Sequence, residues 1–354
     1  MNPYSVSKAL CHGNRLAEMK AGGHPAPVHL QLIITNRCNH NCEFCAYRME
    51  GYTSAQTFDE RSELSTADAV DIMRSASEFG VRAVQFTGGG EPTVHRGLPA
   101  LLAAAQSLGL KAALVTNGQL LRDELQTAVL GCAWIRVSLD AGSDQTYQKI
   151  RRVRPGVFDQ VLTHVRELTA RRRLTGAHVY VGLSFLVTEQ SWQEIPIAVE
   201  IAESLGVDNL RFSAVFSPDD HAVYQGFGDE AAALCRKVSG ARLNGLLVTD
   251  NFSDRLGDLR QGAPDYDRCH YQRLTTYIGA DLNVYRCCLL AYNERGLLAS
   301  LMGRTFESAW NDPATVASLA QLNPRECLRC QFNERNRSIG QLMEMIPDQH
   351  GDFI

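Results

Sequence analysis

Short apolar runs rich in β-branched residues alternate with amphipathic stretches from residue 28 onward. The runs predict β-strands, and the stretches between them predict helices, for example at 65–79 and 193–205. This alternation is typical of βα units around a parallel sheet. Six strands are predicted, at 28–35, 82–87, 111–116, 134–139, 178–187 and 209–214.

Six βα repeats within fewer than 200 residues are too few for a closed eight-stranded barrel, which takes about 250 residues. The pattern therefore predicts a laterally open, partial (β/α)6 TIM-like barrel. After residue 245 the rhythm changes to a strand at 273–278, a turn and a second strand at 283–286, which predicts a small domain with a β-hairpin. The predicted division is an N-terminal extension 1–27, barrel 28–245, small domain 246–340 and tail 341–354.

Composition and charge narrow the class of protein. The 354 residues are 45% hydrophobic and 21% charged, which is typical of a globular chain with a core of its own. No apolar stretch reaches the roughly 18 residues of a membrane span, and the N-terminus has no signal-like apolar segment. We therefore expect a cytoplasmic protein. The net charge of −4 and scattered basic residues leave nucleic-acid binding possible but not indicated.

Eleven cysteines are many for a cytosolic chain, where thiols stay reduced, so clustered cysteines favour metal binding over disulfides. Seven of them fall into two clusters: Cys38, Cys42 and Cys45 form the first, and Cys269, Cys287, Cys327 and Cys330 form the second. The other four, Cys11, Cys132, Cys235 and Cys288, are expected to be small buried hydrophobes or inert thiols.

The first three cysteines follow the first predicted strand, at the end of the barrel where active sites are built. Three thiolates on one loop can hold a four-iron cluster and leave one iron open for a ligand. A structural zinc site is the alternative, and its fourth ligand has to come from His40 or from far away.

The gaps of three and two residues, with Phe44 before the last cysteine, resemble the signature of the radical S-adenosylmethionine (SAM) superfamily. At the end of the second strand, Gly89, Gly90 and Glu91 resemble the family's motif for the methionine amino group of SAM. Glycines allow the close backbone approach that this role needs.

Two further strand ends extend the resemblance. The segment 116–118, with Asn117 at its centre, resembles one that lies near SAM in many members. Ser138 and Asp140 stand where relatives present polar groups to SAM. Arg151 or Arg152 is suited to pair the SAM carboxylate, because a guanidinium fork matches that group.

The resemblance implies a reaction. A reduced [4Fe-4S] cluster donates an electron to SAM, and the resulting 5′-deoxyadenosyl radical takes a hydrogen atom from the substrate. It also implies an external electron donor such as flavodoxin or ferredoxin, and a lid that excludes water.

The second cysteine cluster resembles the twitch domain, the shorter form of the SPASM domain, which holds an auxiliary [4Fe-4S] cluster in some radical SAM enzymes. Four cysteine ligands leave no open iron, so an electron-transfer or structural role is expected. Cys287 is preferred over its neighbour Cys288 because it keeps the hairpin register of relatives. Structural zinc stays an alternative here.

The substrate class is left open. Relatives imply dehydrogenation or epimerisation of a sugar-like or aminocyclitol-like small molecule, by an oxidoreductase or an isomerase. The alternatives are modification of a nucleotide or DNA base, as in phage hypermodification, modification of a ribosomal peptide, and a non-enzymatic iron-sulfur redox sensor. Only some 27 residues precede the first strand, which makes a leader-binding extension for peptides less expected.

Several residues are predicted to contact substrate. Tyr52 follows the cysteine loop, and the tail residues His350 and Asp352 are expected to fold under the barrel mouth as catalytic groups. Further candidates for substrate contact are Tyr47, Arg48 and His95.

Overall fold

The apolar runs of the sequence form the strands of one mixed sheet. The structure is a computed structural model that describes residues 4–49, 56–215, 220–240 and 242–345. Eleven strands are found in these residues: β1 His29–Ile33, β2 Ala83–Thr87, β3 Lys111–Thr116, β4 Trp134–Ser138, β5 Tyr180–Val187, β6 Asn209–Ala214, β7 Arg242–Leu243, β8 Leu246–Asp250, β9 Thr275–Ile278, β10 Asn283–Tyr285 and β11 Leu297–Ser300.

The amphipathic stretches form helices that begin and end at local signals. The Ser65 hydroxyl accepts a hydrogen bond from the Asp68 amide at the start of α2, and Gly80, at φ 112°, ends that helix. The α-helices are α1 Gly13–Lys20, α2 Thr66–Phe79, α3 Leu98–Ser107, α4 Asp123–Val129, α5 Asp144–Arg151, α6 Val157–Thr175, α7 Ile195–Leu205, α8 Gly228–Val238, α9 Phe252–Gln261, α10 Phe306–Trp310, α11 Pro313–Gln321 and α12 Asn333–Glu344. The 3₁₀ helices span Val6–His12, Pro92–Val94, Trp192–Glu194, Asp220–Tyr224, Tyr271–Arg273, Cys288–Leu290 and Pro324–Glu326.

The strand order across the sheet is β11-β10-β9-β1-β2-β3-β4-β5-β6-β8-β7. Strands β1 to β6 are parallel and adjacent in chain order, so the six predicted strands and the partial, TIM-like barrel are confirmed. Two more parallel strands extend this array, because β8 pairs with β6 and β9 pairs with β1. Of these two, β9 belongs to the predicted hairpin, and β8 was not predicted from the sequence.

The two faces of the barrel strands differ in chemistry. On β4, Ile135 and Val137 are fully buried in the main core together with helix residues. The intervening Arg136 and Ser138 are half-buried and face the inside of the barrel. The helices thus cover an apolar outer face, while the lumen presents polar groups.

The predicted hairpin is confirmed as β9 and β10, which pair antiparallel, and β11 adds a third strand beyond it. The predicted domain bounds stay predictions. The sheet does not break at residue 245, since β8 follows that residue and pairs with β6. Within the described part of the chain, no helix has the length and apolar character needed to span a membrane.

Candidate functional site

The loop of Cys38, Cys42 and Cys45 leaves the carboxyl end of β1 and is held against the last turn of α5. The Asn41 amide donates to the Arg151 carbonyl at 3.3 Å, and the Glu43 amide donates to the Ile150 carbonyl at 3.0 Å. These bonds use carbonyls that the helix end leaves without an intrahelical partner. They fix the loop, with its three thiols, above the barrel mouth.

Hydrogen-bond donors approach two of these thiols. The His40 amide donates to Cys38 Sγ at 3.4 Å, and Arg151 Nη1 donates to Cys42 Sγ at 3.5 Å. Burial raises the pKa of the Cys38 and Cys45 thiols, so in the free chain these two groups favour the protonated form. Bound iron, which is positively charged, favours the thiolate instead.

The glycine-rich loop after β2 packs directly on this cysteine loop. The Gly90 amide donates to the Thr35 carbonyl at 3.0 Å, and the Glu91 amide donates to the Arg37 carbonyl at 2.8 Å. A Cβ atom at Gly90 would lie 2.0 Å from the Arg37 carbonyl oxygen, and one at Gly89 would lie 2.1 Å from Asn36 Oδ1. Only glycine fits at these positions.

The Glu91 side chain ties the ends of β2 and β3 together. Its carboxylate accepts hydrogen bonds from Thr116 Oγ1 at 2.5 Å and from the Asn117 amide at 2.7 Å. Burial raises the pKa of Glu91, and the bonds from Thr116, Thr93 and Asn117 act in the opposite direction. Asn117 Nδ2 in turn donates to Asn39 Oδ1 at 2.8 Å. Glu91 and Asn117 thus connect two strand ends to the cysteine loop.

Arg151 and Asp140 form a buried ion pair at the end of β4. Arg151 Nη2 also donates to the Ser138 carbonyl at 2.7 Å, and its guanidinium lies 5.5 Å from the Phe44 ring centre. The other Asp140 oxygen accepts from the Leu186 amide at 2.8 Å. Both carboxylate oxygens of Asp140 are therefore engaged within the chain, in contacts that join β4, β5 and the cysteine loop.

Arg152 lies apart from this pair. It ends α5 with φ 50° and is exposed, and its charge acts on Glu43. Of the two arginines suggested for the SAM carboxylate, Arg151 is therefore the one that the structure brings to the site.

The four cysteines of the second cluster line a single cavity of about 330 Å³, formed mainly by the segments 264–272, 286–295 and 322–332. Arg286 lines it as well, and its Nη1 donates to Gln272 Oε1 at 3.0 Å and to the Ser318 carbonyl at 2.8 Å. The cavity is lined by Cys269, Cys287, Cys327 and Cys330.

Burial and neighbouring thiols change the pKa values of these cysteines. Burial and the neighbouring Cys330 raise the pKa of Cys269 to about 12. Burial, followed by the thiols of Cys288, Cys269 and Cys330, holds the pKa of Cys287 well above its usual range. Four cysteines that line one cavity together with a cationic Arg286 fit an anionic iron-sulfur cluster, because bound iron removes the cost of thiolate formation. No three His, Cys, Asp or Glu side chains in the described segments are arranged around a single metal ion.

Cys287 and Cys288 face different spaces. Cys288 does not line the 330 Å³ cavity but a second pocket of about 190 Å³ at the barrel mouth. Gln331 Nε2 donates to Cys288 Sγ at 2.9 Å. The other residues around this pocket are Phe44, Ala46, Tyr47, Leu186, Ala214, Val215, Leu289 and Gln331.

Tyrosines from the hairpin region contact the barrel loops. The Tyr47 and Tyr277 hydroxyls are 2.5 Å apart, and Tyr277 Oη also donates to the Gly88 carbonyl at 3.4 Å. Tyr292 Oη donates to Asn36 Oδ1 at 2.7 Å. The sequence analysis missed this link, because tyrosines far apart in the chain carry no local pattern.

The remaining sequence predictions have mixed outcomes. Tyr52, His350 and Asp352 lie outside the described residues. His95 is buried, with Nε2 2.9 Å from the Leu64 carbonyl, so its suggested substrate contact was wrong. Arg48 pairs with Glu60 at 2.8 Å, while Tyr47 does line the barrel-mouth pocket.

The cysteines outside the two clusters also differ in their surroundings. Cys132 and Cys235 are buried, as expected for small apolar side chains. Cys11 is exposed and Cys288 is half-buried beside the barrel-mouth pocket, so these two are not small buried hydrophobes, and the alternative of an inert thiol stays a prediction for them.

The amino-acid sequence is similar to a known protein family and to several known proteins. Residues 32–202 match the family described as the radical SAM superfamily. Fe-coproporphyrin III synthase of Methanosarcina barkeri is 30% identical over 199 residues, which cover 56% of this chain and 44% of that protein. A probable GTP 3′,8-cyclase of Saccharolobus islandicus is 31% identical over 184 residues, covering 51% and 55%. The chain thus spans about half of the length of each relative.

Two solved structures share the fold. SuiB of Streptococcus suis, bound to S-adenosylmethionine, aligns with a TM-score of 0.63 at 16% identity and covers 90% of this chain and 75% of its own. The anSMEcpe protein with bound AdoMet aligns with a TM-score of 0.58 at 15% identity and covers 83% and 80%. At these identities the likeness concerns the fold, and it includes the region after the barrel.

Proposed function

On the premise that this chain is a radical SAM protein, with its family domain at residues 32–202, we propose that it removes a hydrogen atom from a polar small molecule. The three thiols of the cysteine loop hold the SAM-binding [4Fe-4S] cluster. When bound, cluster and SAM together supply the electron and the 5′-deoxyadenosyl group needed for radical chemistry.

The main support for this proposal is that the ends of four strands, β1 to β4, meet around the cysteine loop. Hydrogen bonds connect that loop to the glycine-rich loop, to Asn117 and to the end of α5. Polar groups that converge at the carboxyl ends of parallel strands are typical of barrel active sites. Within this arrangement, the backbone around Gly89 and Gly90 and the side chains of Asn117 and Ser138 are the groups that we assign to SAM.

The pocket of about 190 Å³ at the barrel mouth is the proposed place of the substrate. Leu186 and Ala214 line one side of it, at the ends of β5 and β6, and Phe44 and Tyr47 of the cysteine loop line another. Its size favours a small molecule, since pockets for drug-sized ligands span about 300–1,000 Å³. A sugar-like substrate that is oxidised or epimerised fits this space.

A nucleotide is the second candidate substrate. It is supported by the 31% identity to a protein named as a probable GTP 3′,8-cyclase. A ribosomal peptide is a third candidate, because SuiB has also been solved bound to the precursor peptide SuiA. Its support is weaker, since the likeness to SuiB is one of fold at 16% identity.

We assign an auxiliary [4Fe-4S] cluster to the 330 Å³ cavity. Four inward-facing thiols satisfy all four irons, so this cluster has no open position for substrate. Its proposed role is to accept or relay an electron.

The test is anaerobic reconstitution with iron and sulfide, followed by reduction and addition of SAM. We expect the wild-type chain to release 5′-deoxyadenosine and Cys42→Ala to release none, because two thiolates do not retain the cluster. Cys11→Ala is the matched control, since Cys11 is exposed and outside both clusters. Equal release by Cys42→Ala and wild type would contradict the assignment, and iron binding without any 5′-deoxyadenosine would favour a redox sensor.

A further inference from the structure

Two arginines project into the barrel lumen from strands on either side of β5. Arg136 lies in the middle of β4, and Arg211 lies on β6. Their neighbours Ile135 and Phe212 are fully buried on the outer, helix-covered face. Because side chains alternate along a strand, both arginines face inward.

The register of the parallel strands shows at what height in the barrel Arg136 and Arg211 lie. Ser138 pairs with Ser184, and Ser184 pairs with Arg211, so these three residues share one layer. Arg136 pairs with Gly182 in the layer below. Arg211 therefore stands at the height of Ser138, which we assign to the SAM site.

Gly182 places no side chain on the inner face of β5, level with Arg136 and one layer below Arg211. A Cβ atom built there would make ordinary van der Waals contact with Asn209, whose carbonyl oxygen would lie 3.7 Å away. Since adjacent strands are about 4.8 Å apart, the backbones of β4 and β6 are separated by about 10 Å. Long guanidinium side chains from both sides can reach a ligand in this interval.

Among the described residues, neither arginine forms an ion pair with a carboxylate. In the described part of the structure, the Nε atoms of Arg136 and Arg211 are inaccessible to solvent and have no hydrogen-bond acceptor. Their guanidinium groups lie over aromatic rings instead, Arg136 at 5.5 Å from the Trp134 ring centre and Arg211 at 5.0 Å from that of Tyr4. The carboxylate of Asp140 acts on both arginines, but its oxygens are engaged by other groups.

Further positive charge surrounds Arg211. Burial and then Arg136 lower the pKa of Arg211 to about 9, and Arg255 and Arg335 act in the same direction. Cations that are close together and largely removed from water repel one another, and a bound anion relieves this repulsion.

We propose that Arg136 and Arg211 form an anion site on the inner face of the barrel, below the barrel-mouth pocket, which binds a phosphate or carboxylate group of the substrate. The proposal rests on the proposed function, because it assumes that the barrel mouth receives the substrate. A guanidinium fork matches both anions by paired hydrogen bonds. The site selects a phosphorylated or carboxylated small molecule, including a nucleotide, and disfavours a cationic aminocyclitol.

The experiment compares Arg211→Gln and Arg136→Gln with wild type in the reconstituted protein. The probes are inorganic phosphate and succinate, each against sodium chloride of equal ionic strength, and the readouts are the dissociation constant and the melting temperature. At least one probe is expected to bind wild type and to raise its melting temperature. Loss of one charge-assisted contact weakens that binding about tenfold or more. Arg166→Gln, at an exposed position on α6, is the control and binds like wild type.

The two probes separate the two anions: a response to phosphate alone assigns a phosphorylated substrate, and a response to succinate alone assigns a carboxylated one. Without added anion, both variants are expected to melt at or above the temperature of wild type, because they relieve the repulsion between the two guanidinium groups. A lower melting temperature with unchanged anion binding would overturn the proposal, since it would assign the arginines a structural role.

Three other results would also overturn it. These are the failure of both probes to bind wild type, unchanged binding in both variants, and a loss of SAM affinity as large as the loss of anion affinity, which would assign Arg211 to SAM. Release of 5′-deoxyadenosine by the wild-type chain is measured separately. Intact anion binding without that release counts against the proposed function alone, and release without anion binding counts against this inference alone.

Discussion

The two cysteine clusters of this chain are assembled in different ways. Cys38, Cys42 and Cys45 lie within eight residues on one loop, whereas the second cluster draws its cysteines from three segments between residues 269 and 330. The loop is held by backbone hydrogen bonds to α5 and borders the barrel-mouth pocket through Phe44. The second cluster surrounds its own cavity. An arrangement that borders a pocket suits a reactive centre, and one that encloses a cavity suits electron transfer.

The two clusters of thiols also depend on the fold to different degrees. The three thiols of the cysteine loop are close together because they lie within eight residues of the chain. The tertiary structure fixes only their orientation. The second cluster does not exist until the hairpin, the turn at Pro324–Glu326 and the start of α12 come together. Binding of iron there is therefore coupled to folding of the C-terminal region.

The largest expected effect comes from the adjacent cysteines. Cys287→Ser is expected to lower the iron content of the reconstituted chain from about eight to about four atoms, because the auxiliary cluster loses a ligand. Cys288→Ser is the matched control and keeps about eight, since Cys288 faces the barrel-mouth pocket. Iron and sulfide analysis measures both. A loss of iron in Cys288→Ser alone would reverse the assignment of the ligand.

The next effect tests what holds the first loop. Arg151→Met leaves the buried Asp140 carboxylate without its partner and is expected to lower the free energy of unfolding by about 3–5 kcal/mol. Arg152→Met, one residue further on and exposed, is expected to change it by less than about 0.5 kcal/mol. Denaturant unfolding of the iron-free chain measures both values. Equal losses in the two variants would show that the ion pair does not stabilise this end of the barrel.

The smallest effect tests the link between the two regions. Tyr47→Phe removes one of the two hydroxyls that lie 2.5 Å apart and is expected to cost about 1 kcal/mol. Tyr277→Phe also removes the bond to the Gly88 carbonyl and is expected to cost somewhat more. In a double-mutant cycle the two changes are expected to be non-additive by at least about 0.5 kcal/mol, because they share one hydrogen bond. Strictly additive losses would show that the hydroxyls do not interact.

Hydrophobic periodicity was sufficient to predict the central strands. Strands β1 to β6 lie within the predicted ranges because each is an apolar run between turn signals. The same reasoning missed β8 and β11. Their length is not the cause, since the predicted strands β1, β2 and β4 also have five residues. The strands with which β8 and β11 pair specify them more than their own sequence does.

The sequence by itself determined the spacing of the first three cysteines, the glycines of the loop after β2 and the resemblance to radical SAM proteins. These are local features, since a few adjacent residues specify each of them. Only the tertiary structure decided that Cys287 and Cys288 face different spaces and that Arg151 pairs with Asp140. It also decided that Arg136 and Arg211 lie in adjacent layers on the inner face of the barrel, on either side of β5, because strand pairing joins residues that are far apart in the chain.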